Sequence, residues 1–462
     1  MSGPRFTIEE LLAATGGRTL GTPPVAVDGV STDTRSLRSG ALFVALRGER
    51  FDAHDFLGDA AARGAALAVV SETRAADPSP LPRIAVPDTL AALGALARLH
   101  RRRFRIPVVG ITGSNGKTTT REMIAAILAT RGQVLKSEGN LNNEVGVPLT
   151  LFGLDASHVA AVVEMGMSHP GEIARLAAIA GPQVGIVTLA APAHLEGLGT
   201  VDAVADAKAE LYAGLPPGGI AVANADDARM LRRAQASGRR MITFSSSGGR
   251  RGDVVVLEVI SQDAEGLRFV LGIGNRPLSV HIPALVVAHN AATAAAAAAA
   301  AVALGCTDRE IARGLSEVKP VGRRLRLETL ASGVRLVDDC YNANPASMSA
   351  ALRTLSDLAR GSDARPVAAL GDMLELGGFE AEAHRALGAE AAASGVRALA
   401  AFGPRSLATA EAARAAGLAD VFHTEDIESL VRWAKQELAP GDVLLVKGSR
   451  GMKLERLVEA LR

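Results

Sequence analysis

The feature that most limits how this chain can fold is a glycine-rich stretch near residue 110. It reads Val108-Val-Gly-Ile-Thr-Gly-Ser-Asn-Gly-Lys-Thr-Thr-Thr120 and leads into an amphipathic helical pattern over residues 121–129. A buried strand, a glycine loop, a Lys-Thr pair and a helix N-terminus together form a phosphate cradle, because backbone N–H groups and the helix dipole face the phosphate oxygens. The lysine neutralises the β- and γ-phosphates, and the threonine hydroxyl can hold Mg²⁺. The stretch therefore predicts a nucleoside triphosphate site.

The spacing of this loop departs from the common pattern. Gly110 and Gly116 are separated by five residues, whereas the usual phosphate loop has four, so a strict pattern search would miss it. The alternative is a simple glycine-rich turn ahead of a helix, but the Gly-Lys-Thr sequence between a strand and a helix favours phosphate binding. The residues that we expect to contact the nucleoside triphosphate here are Gly113, Ser114, Asn115, Gly116, Lys117, Thr118 and Thr119.

Composition narrows the class of protein. The chain has 462 residues, which suggests roughly three domains, and its 48% hydrophobic and 21% charged content is ordinary for a globular protein. The formal charge of +1 argues against a protein that binds nucleic acid through bulk electrostatics. The basic run at residues 101–105 is more typical of a solvated helix end than of a polyanion site.

Cysteines and apolar segments indicate a cytoplasmic protein. Cys306 and Cys340 are too few and too far apart for a disulfide scaffold or a zinc site, which fits a reducing compartment. The first residues lack the pattern of a signal peptide. Residues 285–304 are nearly uncharged but mostly alanine, so we expect a buried helix there rather than a membrane span.

The order of apolar and polar segments predicts an α/β protein of three domains, at residues 1–105, 106–320 and 321–462. The first contains short strands and helices, and the second alternates strands with helices as a mostly parallel sheet requires. Within the second, residues 218–283 are interpreted as strands and turns. The third has the rhythm of a doubly wound, Rossmann-like fold.

Two loops of the first domain carry candidate anion ligands. Ser31, Thr32 and Arg35 lie on one, and Arg47 and Gly48 on the other. An arginine fork with nearby hydroxyl and N–H donors could hold a diphosphate or a nucleotide. Solvated loop charges are an equally good interpretation of these residues alone.

Polar residues of the second domain suggest a substrate site and a metal site. The loop after residue 139 is dense in amides, with Asn140, Asn142 and Asn143 able to bond a polar substrate. Glu164 ends an apolar strand at residues 159–163, which places its carboxylate in the crevice where open α/β sheets bind ligands. From there it could coordinate Mg²⁺ on the phosphates.

Two further residues of this domain could take part in chemistry. His194 follows the strand at residues 184–188 and is either a metal or phosphate contact or a hydrogen-bonded loop histidine. Lys208 lies in a mostly apolar helical segment over residues 201–212. A lysine without access to solvent loses its charge and becomes a nucleophilic amine, although spacing alone favours a lysine whose end reaches solvent.

The third domain has polar residues after its apolar strands, which we place at residues 334–337, 367–370, 398–402 and 443–446. The residues that follow these strands are rich in Asp, Asn, Ser, Lys and Arg, but no second Gly-Lys-Thr loop occurs among them. We therefore expect this domain to contribute contacts to a site shared with the second domain.

Taken together, these motifs resemble the Mur ligase family of bacterial cell-wall synthesis, over essentially the whole chain and in the same order. The motifs that carry the resemblance are Ser31-Thr-Asp-Thr-Arg35, residues 40–48, the loop at 110–119, Asn140-Leu-Asn-Asn-Glu144, Glu164-Met-Gly166, Pro192-Ala-His-Leu-Glu-Gly197, Ala207-Lys-Ala-Glu210, His289-Asn290, Asp338-Asp-Cys-Tyr-Asn-Ala-Asn-Pro345, Leu370-Gly-Asp-Met-Leu-Glu-Leu376 and Lys447-Gly-Ser-Arg450. Departures from the family pattern are Ala53, Leu198 and the pair Ser168-His169.

The resemblance implies a fold and a reaction. It implies a UDP-sugar-peptide domain, a central ATP-binding domain and a C-terminal Rossmann-like ligase domain. The Pro-Ala-His-Leu-Glu and Tyr-Asn-Ala-Asn-Pro motifs are similar to the branch that adds D-alanyl-D-alanine to UDP-N-acetylmuramoyl-tripeptide through an acyl phosphate. Closure of the third domain would assemble the site and exclude water.

The resemblance also implies roles for individual residues. Lys117, Glu164, His194 and Lys208 would be catalytic, and two Mg²⁺ ions would be held by Thr118, Glu164, His194 and a CO₂-derived carbamate on Lys208. Further nucleotide contacts would come from Asn290, Arg324 and Asp339, with Arg323 left as an alternative to Arg324. The substrate contacts would be Ser31, Thr32, Arg35, Arg47, Gly48, Asn140, Asn142, Asn143, Tyr341, Asn342, Asn344, Lys447, Ser449 and Arg450.

Other functions remain possible on the sequence alone. The nearest are a sister ligase that adds one amino acid to a shorter peptide, and a folylpolyglutamate-type ligase. A nucleotide-gated regulatory protein and a kinase belong to different classes. We expect small-molecule substrates, no nucleic-acid partner and a monomer; the third residue of the acceptor peptide, the oligomeric state and the open or closed domain arrangement stay undecided.

Overall fold

The computed structural model describes residues 3–48, 51–192, 195–246, 252–263, 265–283, 290–319, 322–323, 325–360 and 364–462. Two residues assigned to the site from the sequence, His194 and Arg324, lie outside the described residues. The predicted α/β class is confirmed, and the described strands form three main sheets in three consecutive parts of the chain.

The first sheet is small and mixed. Its strands are arranged in the order β2-β7-β6-β5-β4, parallel except for β2 against β7, while β1 and β3 form a separate antiparallel pair. The elements of this part are β1 (Arg5–Thr7), α1 (Ile8–Thr15), β2 (Arg18–Leu20), β3 (Ala26–Asp28), β4 (Val30–Ser31), β5 (Leu42–Val44), α2 (Leu57–Ala62), β6 (Leu67–Ser71), β7 (Arg83–Val86) and α3 (Thr89–Arg102), with 3₁₀ turns at Thr34–Ser36, Ala53–Phe56 and Glu72–Arg74.

The second sheet is the largest and is parallel over most of its width. Its strand order is β16-β15-β14-β13-β12-β11-β8-β10-β9, and antiparallel pairing is confined to β14, β15 and β16 at one edge. The elements are β8 (Val108–Thr112), α4 (Lys117–Ala129), β9 (Gln133–Lys136), α5 (Gly146–Leu151), β10 (His158–Glu164), α6 (Glu172–Ala180), β11 (Val184–Val187), α7 (Leu195–Leu198), α8 (Val201–Ala213), β12 (Ile220–Asn224), α9 (Ala228–Ala236), β13 (Arg240–Ser245), β14 (Val254–Asp263), β15 (Gly266–Ile273), β16 (Arg276–Ile282), α10 (Asn290–Ala303) and α11 (Asp308–Ser316).

The third sheet has the doubly wound form that the sequence predicts. Its order is β17-β18-β22-β19-β20-β21, with β17 antiparallel and the other pairs parallel, and separate apolar clusters cover its two faces. The elements are β17 (Arg326–Thr329), β18 (Arg335–Asp339), α12 (Pro345–Ala359), β19 (Pro366–Gly371), α13 (Glu380–Ala393), β20 (Ala398–Phe402), α14 (Leu407–Ala415), β21 (Asp420–Thr424), α15 (Ile427–Glu437), β22 (Val443–Lys447) and α16 (Glu455–Leu461), with 3₁₀ turns at Gly377–Phe379 and Arg450–Met452.

The alanine-rich segment is a buried helix, as predicted. The side chains of Ala294 to Ala301 are all buried, and α10 packs against β13, β14 and α4. Alanine lets a helix approach a sheet closely because its side chain ends at Cβ, and it loses no side-chain entropy on burial. Among the described residues, no helix is long and apolar enough to cross a membrane.

Two local predictions differ from the structure. Residues 218–283 were interpreted as strands and turns, but α9 forms within them, where Asp227 caps the helix by accepting hydrogen bonds from the N–H groups of Arg229 and Met230. The apolar alternation at residues 25–30 predicts one strand, but Gly29, with φ of 97°, divides it into β3 and β4.

We predict that the packing of α11 against α4 requires Gly314, although glycine is a poor helix former. A Cβ on Gly314 would lie 2.3 Å from the Cα of Ile127 in α4, so Gly314→Ala should destabilise the fold by about 1 to 3 kcal/mol. The matched control is Gly58→Ala in α2, where no atom lies within 4 Å, and which should instead stabilise by up to about 1 kcal/mol. Thermal unfolding measures the change in stability of each variant, and the two changes should have opposite signs. A stabilised Gly314→Ala variant would contradict the close packing of Gly314 against Ile127.

Candidate active site

The phosphate loop connects the end of β8 to the start of α4, with β10 and β11 on either side of β8. Its tight path requires glycine at two positions, since Gly113 and Gly116 have φ of 149° and 80°. A Cβ on Gly113 would lie 1.8 Å from the hydroxyl oxygen of Thr188 in the neighbouring strand connection. Only glycine therefore fits at position 113.

Hydrogen bonds to the segment after β11 hold this loop in place. The N–H of Ser114 donates to the carbonyl of Leu189 at 2.9 Å, and the Ser114 hydroxyl donates to the carbonyl of Ala191 at 3.0 Å. The Thr188 hydroxyl donates to the carbonyl of Asn115 at 2.5 Å. These bonds connect the phosphate loop to the segment that follows β11.

The loop and the first turn of α4 present an anion site. Within the described residues, no side chain caps the N-terminus of α4, and the positive end of the helix dipole lies at the phosphate loop. The Lys117 ammonium is folded back over the loop and donates to the carbonyl of Gly113 at 2.7 Å. The nearby hydroxyls of Thr112 and Thr120 are buried with no partner among the described residues.

Glu164 lies beside this loop at the end of β10, as the sequence predicts, and it is only 3% exposed. Its carboxylate accepts hydrogen bonds from the Thr118 hydroxyl at 3.0 Å and from the Asn142 amide at 3.2 Å. Arg121 contributes a salt bridge of 3.1 Å to the same carboxylate. A carboxylate and a hydroxyl side by side are the oxygen ligands that Mg²⁺ prefers.

The donor set therefore fits a magnesium ion that shares its ligands with a bound nucleotide. In the described part of the chain, no three His, Cys, Asp or Glu side chains group closely enough to form a metal site by themselves. Mg²⁺ is commonly held by one or two protein oxygens together with substrate phosphates and water. Thr118 and Glu164 satisfy that requirement.

Lys208 is a buried lysine next to the phosphate loop. It projects from α8 and is 2% exposed, so its side chain does not reach out to solvent. Burial, together with the positive charge of Lys117, lowers the pKa of the Lys208 ammonium well below its usual value. A lower pKa favours the uncharged amine, which is the nucleophilic form of a lysine.

The strand ends of the third sheet bring a second polar cluster together. The Lys447 ammonium donates to the carboxylate of Asp339 at 2.6 Å and to the carbonyl of Asn342 at 2.9 Å. The Arg450 guanidinium lies over the Tyr341 ring, with 5.1 Å between its central carbon and the ring centroid. The predicted residues at the ends of β18 and β22 therefore do converge.

A pair of amides joins the two clusters. Asn344 donates to the side-chain oxygen of Asn115 at 2.8 Å, and Asn115 donates in return to the side-chain oxygen of Asn344 at 3.2 Å. Asn344 is also the N-cap of α12, where its side-chain oxygen accepts a bond from the N–H of Ser347, and Pro345 follows at the first helical position. The third domain thus touches the phosphate loop directly.

Other predicted residues are engaged elsewhere. Arg35 forms a forked salt bridge with Asp33, with a shortest distance of 2.6 Å, and this contact lowers the pKa of Asp33 to about 2. The Asn143 side-chain oxygen accepts a hydrogen bond from the N–H of Gly146, the first residue of α5, at 2.8 Å. Arg323 is paired with Asp338 at 3.5 Å and with Glu459 at 2.6 Å.

Asn290 and the predicted residues of the first domain lie in other parts of the structure. Asn290 is buried at the first position of α10. Ser31 is buried and donates to the carbonyl of Asp33, while Arg47 and Gly48 are exposed on a loop of the first domain.

Three residues of the site were missed from the sequence. Arg121 pairs with Glu164, Thr188 supports Asn115, and Asp227 accepts a hydrogen bond from the N–H of Ala190 at 2.8 Å. Arg121 directly follows the three threonines of the phosphate loop, so its position in the sequence could have indicated that it belongs to the site. The other two act only through contacts between distant parts of the chain.

A phosphate loop at the end of a central parallel strand, a buried acid and a buried lysine beside it, and a polar cluster from a second α/β domain define a nucleotide-dependent enzyme with a site between two domains. Family models match the chain in three parts: "Mur ligase family, catalytic domain" at residues 26–101, "Mur ligase middle domain" at 111–301 and "Mur ligase, glutamate ligase domain" at 323–450. The chain belongs to the Mur ligase family.

Individual relatives agree with this family over nearly the full length. The UDP-N-acetylmuramoyl-tripeptide–D-alanyl-D-alanine ligase of Escherichia coli (strain K12) is 39% identical and covers 95% of this chain and 94% of its own length. A crystal structure of MurF from Acinetobacter baumannii matches with a TM-score of 0.90 and 32% identity, over 100% of this chain and 99% of that chain. MurF ligase from Thermotoga maritima in complex with ADP matches with a TM-score of 0.82 and 28% identity, over 94% of this chain and 96% of that chain.

We predict that the Asn115–Asn344 pair contributes to nucleotide affinity as a unit. Asn115→Ala removes one partner, and Asn344→Ser removes the other while keeping an N-cap for α12. Each should weaken ADP binding by about 1 kcal/mol, the usual contribution of a hydrogen bond, and the double variant should be no worse than either single one. Calorimetric titration with ADP measures all three; additive losses would show that the two residues act separately.

Proposed function

We propose that this protein is an ATP-dependent ligase that joins D-alanyl-D-alanine to UDP-N-acetylmuramoyl-tripeptide and releases ADP and phosphate. The observation that carries the proposal is the direct contact between the phosphate loop and the strand-end cluster of the third domain, through Asn115 and Asn344. The full-length similarity to ligases with this activity supports the choice of substrates.

The reaction needs two transfers because a carboxylate is a poor electrophile. An oxygen of the terminal carboxylate of the tripeptide attacks the γ-phosphorus of ATP, and ADP leaves. The amine of D-alanyl-D-alanine then attacks the acyl carbon, phosphate leaves with the activated oxygen, and the nitrogen loses a proton to give the amide. Negative charge collects during the first transfer, so cationic and N–H donors must already be in place.

The phosphate loop supplies those donors. The Lys117 ammonium lies across the loop at the start of α4, from where it can move onto the β- and γ-phosphates. Gly113, Ser114, Asn115, Gly116 and Thr119 contribute the surrounding backbone, and Thr118 with Glu164 would hold Mg²⁺. When bound, Mg²⁺ neutralises phosphate charge and orients the transferred group.

Lys208 has the properties that carbamate formation requires. Its lowered pKa favours the uncharged amine, whose nitrogen would add to the carbon of CO₂ and lose one proton to water, leaving an anionic carbamate next to the phosphate loop. His194 would share a second Mg²⁺ with this group. The nearby positive charge of Lys117 favours an anion over an ammonium at this position.

The remaining assignments concern the substrates. Asn290 and Asp339 would contact the nucleotide, as would Arg324. Ser31, Thr32, Arg35, Arg47 and Gly48 would contact the UDP-sugar, for which Arg35 must share its guanidinium with Asp33. The peptide contacts would be Asn140, Asn142, Asn143, Tyr341, Asn342, Asn344, Lys447, Ser449 and Arg450. A monomer suffices for this chemistry, and the cytoplasmic location expected from the sequence stays a prediction.

Phosphate release tests the proposal when each component of the reaction is omitted in turn. The complete mixture contains ATP, Mg²⁺, UDP-N-acetylmuramoyl-tripeptide and D-alanyl-D-alanine. We expect release only when all four are present, with a product heavier by one dipeptide less water. Release with a single amino acid and a shorter peptide would identify a sister ligase, and release without any amine would identify a kinase.

We predict that Lys208→Ala is largely inactive and that short carboxylic acids such as formate or acetate partly restore it, because they can replace the lost carbamate oxygens. The control is Lys117→Ala, which should lose turnover and gain nothing from the acids, since that position requires a cation. Full activity of the Lys208→Ala variant, or equal rescue of both variants, would contradict the carbamate role. Steady-state phosphate release measures each case.

A further inference from the structure

Arg121 holds the carboxylate of Glu164 in place. Its Nη1 lies 3.1 Å from Oε2 of Glu164, and both side chains are only 4% exposed. The Thr118 hydroxyl donates to the same oxygen at 3.0 Å, because residues three apart in α4 lie on the same side of the helix. Asn142 donates to the other oxygen, Oε1, at 3.2 Å. Both oxygens of this expected magnesium ligand therefore already accept hydrogen bonds.

A second acid holds Arg121 from its other side. Nε and Nη2 of Arg121 donate to Oε1 of Glu122 at 3.0 and 2.7 Å. The ammonium group of Lys136, at the end of β9, donates to the other oxygen of Glu122. The Arg121 guanidinium thus connects two carboxylates, and one of them belongs to the expected metal site.

These contacts disfavour a free divalent cation at Glu164. A Mg²⁺ ion that bound this carboxylate would have to displace one of its donors, and it would be repelled by the positive charge of Arg121. Lys117, which precedes Thr118, adds a second positive charge on the phosphate loop. The phosphates of a nucleotide reverse this balance, because they bring negative charge and further oxygen ligands for Mg²⁺.

We infer that Arg121 is a positioning residue that makes metal binding depend on the nucleotide. It orients Glu164 towards Thr118 and neutralises its charge, so that Mg²⁺ is bound only together with phosphate groups. The inference rests on the Mg²⁺ site of the proposed function, and it assigns to Arg121 the control of when that site accepts its metal.

Substitutions can separate the charge of Arg121 from its place in the packing. Arg121→Met removes the charge and keeps a long side chain, and Arg121→Lys keeps the charge. Glu122→Gln leaves Arg121 in place but removes a negative charge beside it. The matched control is Arg131→Met near the other end of α4, where Arg131 pairs with Glu310 at 2.7 Å.

The test measures two affinities separately: that of the nucleotide-free protein for Mn²⁺, by electron paramagnetic resonance, and that of the protein for ADP in EDTA, by calorimetry. Mn²⁺ can stand for Mg²⁺ because it takes the same oxygen ligands. We expect Arg121→Met to bind Mn²⁺ at least about tenfold more tightly than the wild type and ADP roughly three- to tenfold more weakly. The signs are opposite because the loss of a positive charge favours a cation and disfavours an anion. Arg121→Lys and Arg131→Met should stay within about twofold of the wild type for both ligands.

A purely structural role gives a different pattern. If Arg121 only supports the packing of the site, Arg121→Met should weaken the binding of both ligands, and that result would overturn the inference. An unchanged affinity for Mn²⁺ would overturn it as well. If Arg121→Met does not fold, Glu122→Gln decides the question: it should bind ADP in EDTA roughly two- to fivefold more tightly, since the site is then more positive. Equal or weaker binding of ADP by Glu122→Gln would contradict the inference.

The wild-type protein separates this inference from the proposed function. If it binds no Mn²⁺ even when ADP is present, the proposed metal site itself is wrong. If it binds Mn²⁺ with ADP but only weakly alone, and the Arg121 variants do the same, the metal site stands and only the role of Arg121 fails.

Discussion

The site depends on how the ends of β8 and β11 are bonded to each other. Across these neighbouring connections, the Thr188 hydroxyl donates to the carbonyl of Asn115 and the Ser114 hydroxyl donates to the carbonyl of Ala191. The close approach of Thr188 excludes any side chain at Gly113. Because the loop is already held by the fold, a nucleotide that binds there does not have to order it first. Lys117, Thr118 and Glu164 take their positions from this arrangement.

Much of the fold could be predicted from the sequence because its strands are continuous apolar runs that end in polar loops. The buried helix at residues 290–303 could be predicted as well, since alanine favours helices but is too weakly apolar for a membrane. Helix α9 could not be seen, because its arginines obscure the apolar face that Met230 and Ala234 present to the core. The local sequence pattern also does not predict the break between β3 and β4, which arises from the left-handed backbone conformation of Gly29.

The site was predictable in its parts but not in its connections. The phosphate loop and Glu164 follow from local sequence, and the burial of Lys208 is consistent with its apolar helix. Arg121 and Asn115 acquire their partners only in the folded chain; Asn115 and Asn344 are 229 residues apart. Asn143 and Arg35 show the opposite case. Both were predicted to bind substrate, and both make contacts within the protein that the sequence pattern does not predict.

Asn344 has a consequence for how this sequence can change during evolution. Serine, threonine, aspartate and asparagine all serve as helix N-caps, so α12 alone would tolerate any of them. Its cross-domain partner Asn115 offers both an oxygen and an N–H group, and among these caps only asparagine presents a separate N–H donor and oxygen acceptor to them. An aspartate would turn one attraction into the approach of two oxygens. Positions 115 and 344 should therefore be inherited as a pair, although one belongs to a nucleotide-binding loop and the other to a helix cap.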